Sequence, residues 1–238
     1  MNELSQPFQF LPLDAEIVQW LNSLMGASPR FDRILHALNG NPILTGLPFV
    51  AAVWWLGANQ PRGPSGHGGF LTRSIAGLLC ALLAARLLQT HGPLHLRPIA
   101  DPALHLTSFT DNDPNYFRKL NSFPSDHAVE FFALSLAIFS RHARLGAAAA
   151  GWSLVFICLP RVYFGYHYPS DILAGAILGA AVMAAFLIVP VPGFIDRLMR
   201  RLEQRCPGAP RAAQFLISAE CAVNFDHIRD LLTVLGWV

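Results

Sequence analysis

The sequence predicts an all-α fold, a polytopic transmembrane helical bundle of about five to six spans. Three observations lead there. Of 238 residues, 53% are apolar and only 13% are Asp, Glu, Lys or Arg, against about 25% charged in an average soluble domain. The mean hydropathy is +0.39. Apolar runs close to the roughly 20 residues that cross a bilayer recur along the chain. In lipid the backbone groups of such runs find no water and must be paired within helices. The same composition excludes a disordered chain. A net charge of +2 with no dominant basic block argues against nucleic acid as a partner.

The chain divides into an amphipathic helical segment over 1–41, a membrane core over 42–193 and a basic, then amphipathic, tail over 194–238. In the first segment, Ile17, Trp20, Leu21 and Leu24 recur at helical spacing within 14–38, with a break near Ser28-Pro29. This reads as a helix packed on the bundle or lying at the interface. A further, tilted span there would have to bury Arg30, Asp32 and Arg33. No basic stretch precedes an apolar core, so the N-terminus does not read as a signal peptide.

Five spans follow, at about 42–58, 71–89, 128–140, 145–163 and 172–191. Small residues from Ala174-Gly175 to Gly179-Ala180-Ala181 suit close helix packing in the last of them. The tail carries Arg197, Arg200, Arg201, Arg205 and Arg211. The stretch 214–238 is too polar for a span and reads as an amphipathic helix. Cys80, Cys158, Cys206 and Cys221 form no C-x-x-C pair, so neither zinc binding nor a disulfide is expected.

Basic residues orient the spans. Arg62, the run Arg141-His142-Ala143-Arg144 and the arginine-rich tail belong in the cytoplasm. The connection 90–126, the short one around Tyr166 and the N-terminus then face outward.

The outward connections hold three local patterns: Leu96-Arg97-Pro98, then Ser122-Phe123-Pro124-Ser125-Asp126-His127, then 161–171 with Arg161, His167 and Asp171. Arg97 and Arg161 are permanent cations whose forked donors suit phosphate oxygens. Ser125 sits where a helix begins, and free N–H groups there favour an anion. His167 and Asp171 are four apart, which brings them to one side of a helical turn. A carboxylate on one imidazole nitrogen fixes the tautomer and leaves the other nitrogen able to attack. His127 supplies a second imidazole to protonate a leaving oxygen. Together these groups form a constellation for phosphoryl transfer, with charge neutralised by arginine and N–H donors.

Over about 71–187 the sequence resembles the type 2 phosphatidic acid phosphatase superfamily. That family carries the blocks K-x6-R-P, P-S-G-H and S-R-x5-H-x3-D. Arg97-Pro98 matches the first, Pro124-Ser125-Asp126-His127 the second, and Arg161, His167 and Asp171 the third. Three positions depart. The lysine is Thr90, with Arg86 one helical turn earlier as a replacement or as an interfacial side chain. The glycine is Asp126, and the serine before Arg161 is Pro160.

The resemblance implies a membrane phosphatase acting on a lipid-linked phosphate monoester or diphosphate, either an isoprenoid diphosphate or a glycerophospholipid phosphate. It implies His167 as nucleophile, Asp171 as its orienting carboxylate and His127 as acid and base. Substrate would be held by Arg97, Ser125, Asp126, Arg161 and Arg86. No metal and no cofactor is implied, and the partners are the lipid phosphate and membrane lipids. It places the enzyme in a bacterial inner membrane with the site facing the periplasm or exterior. The alternatives are a lipid phosphotransferase using the same histidine and a non-catalytic lipid-binding scaffold.

Other residues carry plainer expectations. His91, His95 and His105 fit no compact ligand set and read as a solvated loop. Tyr163, Tyr166 and Tyr168 read as interfacial anchors. Glu130 reads as an acid tolerated near a helix N-terminus. The connection 99–120, with Phe109, Tyr116 and Phe117, is a plain link or a lid.

Overall fold

The computed structural model describes residues 13–59, 67–109, 121–189, 201–202 and 204–222. Arg62, Tyr116, Phe117, Arg197, Arg200 and the end of the predicted C-terminal helix lie outside the described residues. The described elements are helical: α1 Asp14–Asn22, α2 Pro29–Asn39, α3 Pro42–Thr45, α4 Leu47–Ala58, α5 His67–His91, α6 Asp126–Phe139, α7 Ala143–Tyr163, α8 Pro169–Ile188 and α9 Ala209–Ala222. Two 3₁₀ turns, Pro98–Ala100 and Pro102–Leu104, lie between α5 and α6.

Among the described residues, three helices are long and apolar enough to cross a membrane: Gly69–His91 within α5, α7 and α8. They coincide with three of the five predicted spans. The other two are shorter. α4 has 12 residues and α6 has 14, the latter a rise of about 21 Å. α6 is short because its Ser125 cap ends the helix where the chain must turn into the motif region. α4 is preceded by the separate pieces α2 and α3, which lie along the second half of α7.

Local chemistry sets these limits. Gly26, at φ +88, turns the chain after α1. Ser28 then caps α2, accepting from Phe31 N, with Pro29 in its first turn. The predicted break near Ser28-Pro29 is this cap. In α7 the segment Ser153–Cys158 widens into π turns just before Pro160. Proline has no N–H and its ring crowds the carbonyl four residues back, so the regular ladder gives way ahead of it.

α6 is the hub, packed against α4, α5, α7 and most closely α8. That closeness depends on two glycines. A Cβ at Gly179 would stand 2.1 Å from the Val129 carbonyl oxygen, and one at Gly175 would stand 2.5 Å from that of Ser125. The N-termini of α6 and α8 therefore meet backbone to backbone, and Ser125 N donates to Asp171 O at 3.1 Å. Phe131, Leu134, Ile138, Phe49, Leu78 and Met183 fill the core beside this seam.

The N-terminal helices grip the turn between α7 and α8. Asp14 is buried and accepts from Ser170 N at 3.0 Å and from the Ser170 hydroxyl. Asn22 donates to Tyr163 O at 3.2 Å, and Asp32 accepts from the Tyr163 hydroxyl. Tyr163 and Tyr168 are thus inside the protein, at 5% and 2% exposure, and are not interfacial anchors. Their hydroxyl-bearing rings were needed by buried carboxylate and imidazole neighbours. Ile17, Trp20 and Leu24 point outward from α1, and Arg30 and Arg33 are exposed while Asp32 is buried.

The other terminal helix, α9, packs on α4 and α5. Trp54 Nε1 donates to Ser218 Oγ and Gln214 Nε2 to Thr72 Oγ1, each at 3.1 Å. Cys221 reaches the core, and all four cysteines are free.

Gly179→Ala should destabilise the protein by about 1–3 kcal/mol, the usual cost of overpacking a tight core. A lowered unfolding midpoint in detergent would show it; an unchanged midpoint would mean that α8 and α6 are not held at backbone contact.

Candidate active site

α7 ends in a glycine-dependent turn that aims His167 inward. Gly165 adopts φ +72, and Tyr166 N and His167 N both donate back to Arg161 O, at 2.8 and 3.3 Å. This is a left-handed helix stop, for which glycine is favoured. Arg161 thus contributes its carbonyl to the placement of His167 and its guanidinium to the site. Pro169 then starts α8, and Asp171 in its first turn accepts from Tyr168 N at 2.8 Å.

His167 is fully buried. Its Nδ1 lies 3.0 Å from Ser122 O and 3.6 Å from Asp171 Oδ2. Both are acceptors, so Nδ1 carries the proton and Nε2 presents its lone pair. Nε2 faces Arg97 Nη1 at 3.4 Å, and the same Nη1 donates to Tyr166 O at 3.3 Å. Burial, followed by the positive charge of Arg97, lowers the pKa of His167 below its ordinary value. The ring is therefore neutral and nucleophilic near neutral pH.

Asp171 is fully buried and well held. Oδ2 accepts from Ser122 Oγ at 2.6 Å and from Tyr168 N, while Oδ1 lies 3.2 Å from His95 Nδ1. His95 is 3% exposed. The solvated-loop expectation for His95 is corrected: its ring is enclosed by Tyr168 and Phe123, with centroids at 4.9 and 6.4 Å.

The second block forms the start of α6. Ser125 is buried, and its hydroxyl caps the helix by accepting from Ala128 N at 3.5 Å. Its hydroxyl is thereby engaged with backbone. His127 Nδ1 lies 3.1 Å from Asp126 Oδ1. Asp126, His127, Arg161 and His167 lie within electrostatic reach of one another. Arg161 Nε is buried without a hydrogen-bond partner. An unsatisfied buried donor on a permanent cation is a place for an anion.

Arg86 stands on the rim. Its Nη2 is 4.0 Å from Asp126 Oδ2, its Nη1 donates to Gln89 Oε1 at 3.1 Å, and its side chain is 62% exposed. It meets the departure at Asp126 rather than the histidines. Glu130 differs from its expectation too. It is fully buried, and neither carboxyl oxygen has a hydrogen-bond partner.

Residues 95–192 match the PAP2 superfamily. Over this segment the chain is similar to that superfamily. The match begins at His95 and takes in Arg97-Pro98 of the first block and the whole of the second and third. The chain is 26% identical over 199 residues to undecaprenyl-diphosphatase BcrC of Bacillus subtilis, covering 80% of this chain and 92% of that one. It is 26% identical over 212 residues to lipid A 1-diphosphate synthase of Escherichia coli, covering 84% of each. It is 34% identical over 93 residues to bacitracin transport permease protein BcrC of Bacillus licheniformis, covering 36% of this chain and 43% of that protein.

Sequence reasoning missed two residues that the fold brings to Asp171, namely Ser122 and His95. His95 stands two residues before Arg97, and that nearness to a motif arginine was the available signal. Ser122 gave none, because its partner lies 49 residues away.

The imidazole of His167, followed by NMR in detergent, should titrate with a midpoint below the ordinary histidine value of about 6.5. Arg97→Gln removes the second cause of that shift and should move the midpoint upward. A wild-type midpoint at or above 6.5 would contradict the buried, cation-flanked setting.

Proposed function

We propose that this protein is a membrane phosphatase that hydrolyses a lipid-linked phosphate monoester or diphosphate through a phosphohistidine on His167. The observation that carries the reading is the setting of His167: Nδ1 tied to acceptors, Nε2 turned to the Arg97 guanidinium at 3.4 Å. The names of the relatives support the same substrate class, isoprenoid diphosphates among them.

In the reaction His167 Nε2 attacks phosphorus as the bond to the leaving oxygen breaks. His127, which burial and Arg161 keep neutral in the resting site, takes up a proton when the phosphate's negative charge is bound beside it and gives that proton to the leaving oxygen. Arg97 and Arg161 neutralise the charge that spreads over the equatorial oxygens, which is the main demand of phosphoryl transfer. Asp171 stabilises the cationic ring that forms. Water, deprotonated by His127, then attacks the P–N bond, and inorganic phosphate leaves with His167 restored. The chain's own cations and amides meet the charge, so the reaction needs no metal. Ser125 acts by capping α6, which orients the N–H of Asp126 toward the phosphoryl group. The basic connection Arg141–Arg144 follows the far end of α6 and supports a site on the periplasmic or outer face of a bacterial inner membrane.

One observation favours a second reading. The similarity to a lipid A 1-diphosphate synthase extends over most of both chains. A lipid hydroxyl or phosphate in place of water would make the protein a phosphotransferase with the same first step.

Detergent-purified protein in EDTA should release phosphate from undecaprenyl diphosphate, phosphatidic acid or phosphatidylglycerol phosphate, and His167→Ala should abolish release while remaining folded. Near-normal release by the variant would remove the nucleophile assignment. Phosphate appearing only on an added acceptor lipid would select the transferase.

Arg86→Ala should change kcat/KM by no more than about threefold, because an exposed pair contributes little. A loss of a hundredfold or more would instead make Arg86 the replacement for the missing lysine.

A further inference from the structure

We infer that His95 is a positioning residue for the phosphoryl-transfer site: it holds the outer oxygen of Asp171 so that the inner oxygen stays turned toward His167. This rests on the phosphatase reading. The argument begins with how Asp171 is placed. A carboxylate at the start of a helix rotates freely about its χ2 torsion unless both oxygens are engaged. Oδ2 has two donors, Ser122 Oγ at 2.6 Å and Tyr168 N at 2.8 Å. Oδ1 accepts no hydrogen bond of standard geometry and lies at ion-pair distance, 3.2 Å, from His95 Nδ1. His95 therefore fixes the side of the carboxylate that no backbone group reaches.

The ring of His95 is itself held. It stacks at 4.9 Å against Tyr168, the residue whose amide bonds Asp171, and meets Phe123 edge-on. Its backbone is sewn to the next segment on both sides: Asn121 Oδ1 accepts from His95 N at 3.2 Å, and His95 O accepts from Ser122 N at 2.8 Å. Ser122 is the residue whose carbonyl and hydroxyl both face His167 Nδ1. Two residues along the chain, Arg97 faces Nε2 of that ring. One short stretch of chain thus controls both nitrogens of His167: Nε2 directly through Arg97, and Nδ1 through Asp171 and Ser122.

The effect falls on the step that makes the ring cationic. The Ser122 carbonyl is enough to keep the proton on Nδ1 in the resting site. As phosphorus bonds to Nε2 the ring gains positive charge, and a carboxylate that swings from 3.6 Å to a longer distance stabilises it less. Loss of His95 should therefore lower kcat and leave KM nearly unchanged.

The test uses the full-length protein in detergent with whichever lipid phosphate the wild type hydrolyses. His95→Phe keeps a ring of similar size between Tyr168 and Phe123 but removes the nitrogen. His95→Asn is smaller but places an amide donor where Nδ1 stood. The expected result is a 10–100-fold lower kcat for His95→Phe with KM within about twofold, and recovery to within about fivefold of wild type for His95→Asn. In an Asp171→Asn background, His95→Phe should add little, as two residues acting through one carboxylate do. Wild-type kcat in His95→Phe, or His95→Asn no better than His95→Phe despite equal thermal stability, would overturn the role and show His95 to be packing alone. A fully additive loss in the Asp171→Asn background would overturn it as well. If the wild type itself hydrolyses no lipid phosphate, the phosphatase reading fails and this inference falls with it; an active wild type with an indifferent His95→Phe fails this inference only.

Discussion

The site depends on how closely α8 approaches α6. At Gly175 and Gly179 the missing side chains let backbone meet backbone. The N-terminus of α8, with Asp171, then lies against the N-terminus of α6, with Ser125, Asp126 and His127. A side chain of any size at either glycine would separate the helices by an ångström or more. Asp171, which faces His167, would then part from the helix start that carries Ser125, Asp126 and His127. Catalytic groups tolerate misplacement of that size poorly.

Around that seam the polar groups divide into two kinds. Those around His167 are closely neighboured: Asp171 has four polar neighbours, and His167 has both ring nitrogens faced. Arg161 is different, because its buried Nε has no partner in the protein. Burying unmatched positive charge is unfavourable, and a phosphate oxygen would relieve it. Asp126, which stands at the glycine of the second block, meets Arg86 at the rim. Their contact places a positive and a negative group together one helical turn before Thr90, the position of the missing lysine.

Much of this was readable before any coordinates. Apolar run lengths located three helices that can cross a membrane, and motif order put Arg97, His127, Arg161, His167 and Asp171 together. The unreadable parts share a cause, which is partnership over long sequence separation. Tyr163 looks like an interfacial aromatic until Asp32 is seen beneath its hydroxyl. His95 looks solvated until Asp171 is seen across from it. Ser125 sits where the sequence puts it, at the helix start, and its hydroxyl caps that helix by accepting from Ala128 N. Amphipathic pattern reports which face is apolar; it does not report which buried carboxylate waits opposite.

The grip of α1 and α2 on the α7–α8 turn has a temporal side. Asp14 and Ser170 are 156 residues apart. At a synthesis rate of about 5–20 residues per second, Asp14 is made roughly 10–30 s before its partner. Until then Asp14, Asn22 and Asp32 remain hydrated, which keeps α1 in water or headgroups rather than in hydrocarbon. The order of synthesis thereby keeps the N-terminal helices at the bilayer surface until the turn that they fasten has arrived.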